Sequence, residues 1–131
     1  MHLSAQTRYG TRALIDLASE RQDGPISVAS IARRQDLSVK FLEQIMSRLK
    51  ATSLVRVVRG RGYSLARDPR DISLNDILQA LEVSEKVVHC LEPGKDCSRE
   101  ECCPTRRIWQ GLDRVVSDYL AEFTLADLVA G

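Results

Sequence analysis

The sequence predicts a mainly α-helical protein with a small β-hairpin wing: a winged helix-turn-helix followed by a long C-terminal dimerisation helix. Three observations predict it. Apolar residues recur at helical spacing over most of the chain, they shift to alternation once, around residues 54–66, and basic charge gathers in the stretch that contains this shift. With 131 residues, 44% of them hydrophobic, the chain has the length and apolar content for one modest core.

The elements follow in order. Ser4 to Glu20 places Tyr9, Ala13, Leu14, Leu17 and Ala18 on one helical face, and Gln22-Asp23-Gly24-Pro25 ends that helix. Ser27 caps a short helix from Val28 to Arg34 with Ile31 and Ala32 inward, and the chain breaks around Gln35-Asp36-Leu37. Ser38 caps a third helix whose stripe is Val39, Leu42, Ile45, Met46 and Leu49. Two short helices joined by a tight turn outline a helix-turn-helix. Leu54 to Val58 and Tyr63 to Ala66, joined by Arg59-Gly60-Arg61-Gly62, then form a basic hairpin in the position of a wing. Ser73, with Asp76 three residues on, starts a fourth helix that carries Ile77, Leu78 and Leu81 and ends near Glu82. Residues 90–103, with Pro93 and Gly94, read as a loop. Beyond Pro104 the longest helix runs from Thr105 to about Phe123, with Ile108, Trp109, Leu112, Val115, Val116, Tyr119, Leu120 and Phe123 on a broad stripe, and Thr124 starts a last helical turn. The organisation expected is residues 1–82 for DNA binding, 83–104 for a cysteine loop and 105–131 for dimerisation.

The net charge is +1, yet it is unevenly spread. Arg33 to Arg70 holds ten basic and three acidic residues, whereas Asp71 to Cys103 holds eight acidic and three basic ones. One part of the molecule suits phosphates and another does not. The start of the chain lacks the apolar stretch of roughly 7–15 residues that a signal peptide carries. No run approaches the ~18 apolar residues of a membrane span, so a cytoplasmic protein is expected.

In a helix-turn-helix, the N-terminal part of the second helix faces the base edges of the major groove. The outward positions there are Lys40, Glu43 and Gln44, with Phe41 at the margin. Gln pairs with adenine, Lys with guanine, and Glu accepts from a cytosine amino group. Arg59 and Arg61 at the hairpin tip suit a minor groove or a phosphate. Taken singly, these are residues of an ordinary solvated face. The succession of helix, turn, helix and basic hairpin turns them into a DNA-binding set. A single winged helix of this size needs a second copy to span two half-sites, and the apolar stripe from Ile108 to Phe123, helped by the first helix, is the expected means of dimerisation.

All four cysteines, Cys90, Cys97, Cys102 and Cys103, lie within 14 residues. Such crowding points to a metal, cluster or redox site rather than to the scattered disulfides of a secreted scaffold. No CxxC pair of the kind zinc sites use is present, and adjacent cysteines do not both bind one small ion comfortably. Thiolates spaced along a Gly- and Pro-bearing loop can wrap an iron-sulfur cluster. On spacing alone, a cluster, a zinc ion, a redox thiol and a plain surface cysteine all stand.

Several motifs carry a resemblance. Met1 to Gly10, Leu42-Glu43-Gln44 followed by Ser47-Arg48-Leu49, Val58-Arg59-Gly60, Gly62 to Ala66, and Cys103-Pro-Thr-Arg-Arg-Ile-Trp109 resemble the iron-sulfur cluster regulators of bacteria, IscR and its relatives, in order along nearly the whole chain. The resemblance implies a homodimeric winged-helix repressor whose cysteine loop holds an iron-sulfur cluster, with 2Fe-2S the type expected, and whose targets include genes for cluster assembly. It assigns Cys90, Cys97 and Cys103 as cluster ligands, Cys103 rather than Cys102 because it keeps the family's distance to Trp109. It places Lys40, Phe41, Glu43 and Gln44 on the recognition helix and Arg59 on the wing.

The chain departs from that pattern in three places. Arg106 stands where IscR proper has a histidine three residues after the third cysteine, leaving His89, Cys102, Asp96, Glu101 or a partner-subunit group as the fourth ligand. Thr7-Arg8-Tyr9 offers no aspartate of the kind that nitric-oxide-sensing relatives use. The wing turn has fewer glycines than the family's Gly-Gly-Gly-Tyr. Two rivals remain: a cluster-free, thiol-sensing repressor of the cysteine-metabolism type, and a small thiol oxidoreductase. The second lacks a CxxC at a helix N-terminus and any catalytic His or carboxylate constellation, so no enzyme is expected.

Overall fold

The computed structural model describes residues 2–19, 24–82 and 104–131. Among the described residues, six α-helices and one hairpin follow in the order α1 (Ala5–Ser19), α2 (Val28–Gln35), α3 (Val39–Ala51), β1 (Val55–Val58), β2 (Gly62–Leu65), α4 (Leu74–Leu81), α5 (Arg106–Ala121) and α6 (Leu125–Ala130), with a 3-10 turn at Pro69–Asp71 before α4.

Local chemistry sets the ends of these helices. Ser27 and Ser38 lie in extended backbone and accept from the amides of Ser30 and Phe41, which fixes the starts of α2 and α3. Between them Asp36 takes the left-handed conformation, φ 55° and ψ 51°, and its amide donates to the carbonyl of Ala32. That single residue makes the turn of the helix-turn-helix. Ser73 with Asp76 and Thr124 with Asp127 form two capping boxes at the starts of α4 and α6. The two starts are joined, because Leu74 donates to Phe123 and Leu125 to Ile72.

The core lies where α1, α3 and α4 meet. Ala13, Leu14, Leu42, Ile45, Met46, Leu49, Ile72, Ile77 and Leu125 are wholly buried. Each large aliphatic side chain buried in this way contributes about 1.5–3 kcal/mol. The inward stripe of α3 begins at Leu42. Val39, predicted to belong to it, is 44% exposed, because it sits at the first helical position, ahead of the turns that enter the core.

The hairpin pairs Val55 with Leu65, Arg56 with Ser64, Val57 with Tyr63 and Val58 with Gly62. It gains a third edge that the sequence did not reveal: Ile26 and Tyr63 exchange backbone hydrogen bonds of 2.9 and 2.8 Å, which ties the wing to the chain just before α2. This contact requires glycine at position 62, where φ is 119° and a Cβ would stand 2.3 Å from the carbonyl oxygen of Ile26.

Helix α5 differs from the rest. It has the predicted apolar stripe, but none of its residues is buried. Val116, Leu120 and, just beyond the helix, Phe123 are partly covered, whereas Ile108, Leu112, Val115 and Tyr119 stand 61%, 40%, 63% and 59% exposed. Among the described residues no helix is long and apolar enough to cross a membrane.

Candidate nucleic-acid interface and cysteine segment

Helix α3 presents two faces. Its inner face is the core stripe. Its outer face, near the N-terminus, carries Lys40, Glu43 and Gln44, all exposed, their side chains without a hydrogen bond or ion pair to another described residue. They form a patch with a base, an acid and an amide, one group for each kind of base-edge contact. Phe41, predicted at the margin of this face, belongs to the interior side. It is half-buried, and its ring meets Tyr9 of α1 edge-on at 5.9 Å and 82°. Arg8 and Arg12 lie over that same tyrosine ring, at 5.6 and 5.3 Å.

The orientation of α2 against α1 is fixed by an ion pair that sequence reasoning missed. Asp16, only 8% exposed, accepts from Nε of Arg34 at 2.9 Å and from its Nη2, and from Nε2 of Gln35 at 3.0 Å. Arg12 donates to the side chain of Gln35 at 3.2 Å. Burial by itself would push the Asp16 carboxyl up. The hydrogen bonds of Arg34 and Gln35, with the charge of Arg34, outweigh burial and hold it below the ordinary value of 3.8. A signal existed: an aspartate falls among Ala13, Leu14 and Leu17 on the inward face of α1, and buried carboxylates require partners.

In the wing, Arg59 and Gly60 form the tip, with φ 76° at Gly60, and both are exposed. Arg61 is exposed as well, but it turns back: its Nη2 lies 3.4 Å from where a Cβ of Gly24 would stand. It lines, with Arg56 and Ser64, a groove of about 390 Å³ beside Gly24 and Pro25. The two wing arginines are therefore differently placed, Arg59 at the tip and Arg61 on the flank.

Cys90, Cys97, Cys102, Cys103 and His89 lie outside the described residues. The described flanks of their segment are Glu82, immediately after α4, and Pro104, just before α5, and α4 packs against α5. As donors, three thiolates fit cluster iron.

A helix-turn-helix with a basic wing and a free recognition face defines a DNA-binding transcriptional regulator. Residues 3–131 match the Rrf2 family, described as iron-dependent transcriptional regulators, and the chain belongs to that family. It is 39% identical to the protein rrf2 of Nitratidesulfovibrio vulgaris, over 98% of this chain and 87% of that one. It is 37% identical to the transcriptional regulator IscR of Yersinia pestis, over 98% and 79% of the two chains. Among solved structures it is similar to CymR, the global cysteine regulator of B. subtilis, with a TM-score of 0.79 and 34% identity over 100% and 98% of the chains. It is also similar to T. potens IscR, with a TM-score of 0.76 and 37% identity over 99% and 87%. These relatives are regulators, which sets aside the oxidoreductase reading.

Proposed function

We propose that the chain is a homodimeric repressor that reads iron-sulfur status through Cys90, Cys97 and Cys103 and controls cluster-assembly or related genes. The observation that carries this reading is the placement of a four-cysteine segment, three of whose thiols match the cluster ligands of the family, directly between the helix-turn-helix unit and α5, in a chain similar to IscR over nearly its full length. Residues 1–82 read DNA, 83–104 sense, and 105–131 pair two copies. Lys40, Glu43 and Gln44 meet base edges, Arg59 enters the minor groove, Arg61 holds phosphate, and Phe41 acts from behind by setting the helix against Tyr9. The exposed face of Ile108, Leu112, Val115 and Tyr119 supports dimerisation, since a face of that size on one helix is a cost to an isolated chain.

When bound, a cluster of the 2Fe-2S type would supply a group whose presence follows iron and sulfide supply. The chain's own part is to couple the state of that segment to the stance of α3. The first test is iron and acid-labile sulfide per chain on protein isolated without oxygen. Near-equal amounts of the two support the reading, and absence of both overturns it. Cys97→Ser is expected to abolish cluster retention and Cys102→Ser to leave it largely intact; equal loss in both would overturn the choice of ligands.

The likeness to CymR, at full coverage of this chain, supports a second reading in which the same cysteines report thiol state without a cluster. Colourless protein with redox-dependent DNA binding would establish it. Salt-dependent binding to duplex DNA is common to both.

A further inference from the structure

We infer that Arg48 is a positioning residue that carries the state of the cysteine segment to the recognition helix; this rests on the sensing function proposed above. Arg48 stands on α3 between the buried residues Met46 and Leu49, and its guanidinium leaves the helix for the interior side. Its Nη1 donates to the backbone carbonyl of Leu81 at 2.9 Å and to the side-chain oxygen of Gln6. Leu81 is the last residue of α4, two positions before the segment that bears the cysteines begins. The recognition helix is thus held, through one guanidinium, by the backbone that leads into that segment.

The same point is clamped from the other side. Glu82 accepts from the amide of Ser4 at 2.8 Å, and the Leu81 side chain fills the space above Gly10, where a Cβ would meet Leu81 Cδ1 at 2.3 Å and Ile45 Cγ2 at 3.2 Å. Leu81 therefore packs against Gly10 of α1 near Ile45 of α3, and its carbonyl meets α3 through Arg48. A displacement passed on to Glu82 acts on this knot, and Arg48 is a polar link from the knot to the helix that carries Lys40, Glu43 and Gln44. Both acceptors, one on α1 and one at the end of α4, are met by the two N–H bonds of that single nitrogen. The arrangement needs no contact between the cysteines and DNA.

Linkage makes the test reciprocal: if the segment's state biases DNA binding, DNA binding must bias the segment. The readout is the rate at which dilute iodoacetamide alkylates the four cysteines in reduced, metal-free protein, slowly enough for the rate to follow the equilibrium between the segment's states, with and without a saturating duplex selected by the protein from a random-sequence pool. In the parent protein DNA is expected to change that rate at least about fivefold, the lower end of ordinary allosteric coupling. In Arg48→Met, which keeps the aliphatic stem but loses the donors, the change is expected to fall below about twofold while the variant still folds and binds the duplex. Gln6→Met, which leaves the link to Leu81, is expected to give an intermediate value and serves if Arg48→Met does not fold. An unchanged DNA effect in both variants would overturn the inference, since simple shielding by DNA survives either substitution. No DNA effect in the parent would overturn it too, whatever the iron and sulfide content, which is measured separately.

Discussion

The helix-turn-helix unit and α5 both carry broad apolar stripes, yet the first buries its stripe and the second does not. In α3, Leu42, Ile45, Met46 and Leu49 are all wholly buried, closed in by α1 and α4. In α5 no residue is buried, and four large apolar side chains stand 40% or more exposed. The same period of hydrophobicity therefore means two things: a completed core where the chain supplies its own cover, and an open face where it does not. Substitutions that probe the two regions should separate them, and the contrast orders the expected effects.

The largest belongs to the core. Ile45→Ala removes a wholly buried side chain beneath Gly10 and beside Leu81, and is expected to destabilise the fold by about 2–5 kcal/mol in chemical unfolding. A cost near that of a surface position would mean that the helix-turn-helix unit is no better packed than α5, and the comparison would collapse. Next comes Gly62→Ala. The substitution forces a side chain into φ 119° and into the carbonyl of Ile26, so it is expected to cost roughly 1–3 kcal/mol and to detach the wing from the chain before α2. Weaker DNA binding with α3 intact, followed by titration against the parent, would show that the wing contributes on its own.

Smaller again is the pair that orients α2. Asp16→Asn weakens the fork from Arg34 and is expected to cost roughly 1–2 kcal/mol at neutral pH. The sign of its pH dependence follows from the lowered carboxyl. The ionised, paired form stabilises the fold fully above the ordinary value of 3.8, and that contribution is lost as pH falls through the lower value the residue has in the folded chain. Urea unfolding of parent and variant should thus differ at about pH 6 and converge in strong acid; a gap that widened in acid would reverse the assignment.

Much of this was legible in the sequence, and the parts that were not share a cause. Helix caps at Ser27, Ser38 and Ser73, the stripe of α3 from Leu42 onward and the basic hairpin each announce themselves through neighbours in the chain. The Asp16–Arg34 pair, the Ile26–Tyr63 bridge and the bond from Arg48 to Leu81 join residues 18 to 37 positions apart, and a spacing pattern does not reach that far. Val39 and Phe41 show the same limit at short range. Periodicity places Val39 inward and leaves Phe41 at the margin, but the first turn of α3 projects beyond the core while Tyr9 of α1 comes up to cover Phe41. Of the candidate site, the exposure of Lys40, Glu43 and Gln44 on α3 could be read from helical spacing, whereas the turning of Arg61 toward Gly24 depends on a loop packed from elsewhere.

The smallest effect on the fold is expected where the open face lies, and there the contrast between the two regions is sharpest. Val115→Ser replaces a side chain 63% exposed and should change the stability of a single chain by no more than about 0.5 kcal/mol. If α5 is covered by a second copy, however, Val115 lies in a buried interface between chains, and together with Leu112→Ser the substitution should shift the sedimentation of the protein toward the single chain. DNA binding should weaken in parallel, because one winged helix loses the second half-site. Unchanged sedimentation with unchanged stability would mean that α5 is covered by something other than itself. A large loss of stability in a chain that was already single would mean that this face packs within the chain after all, and the difference between the two regions would disappear.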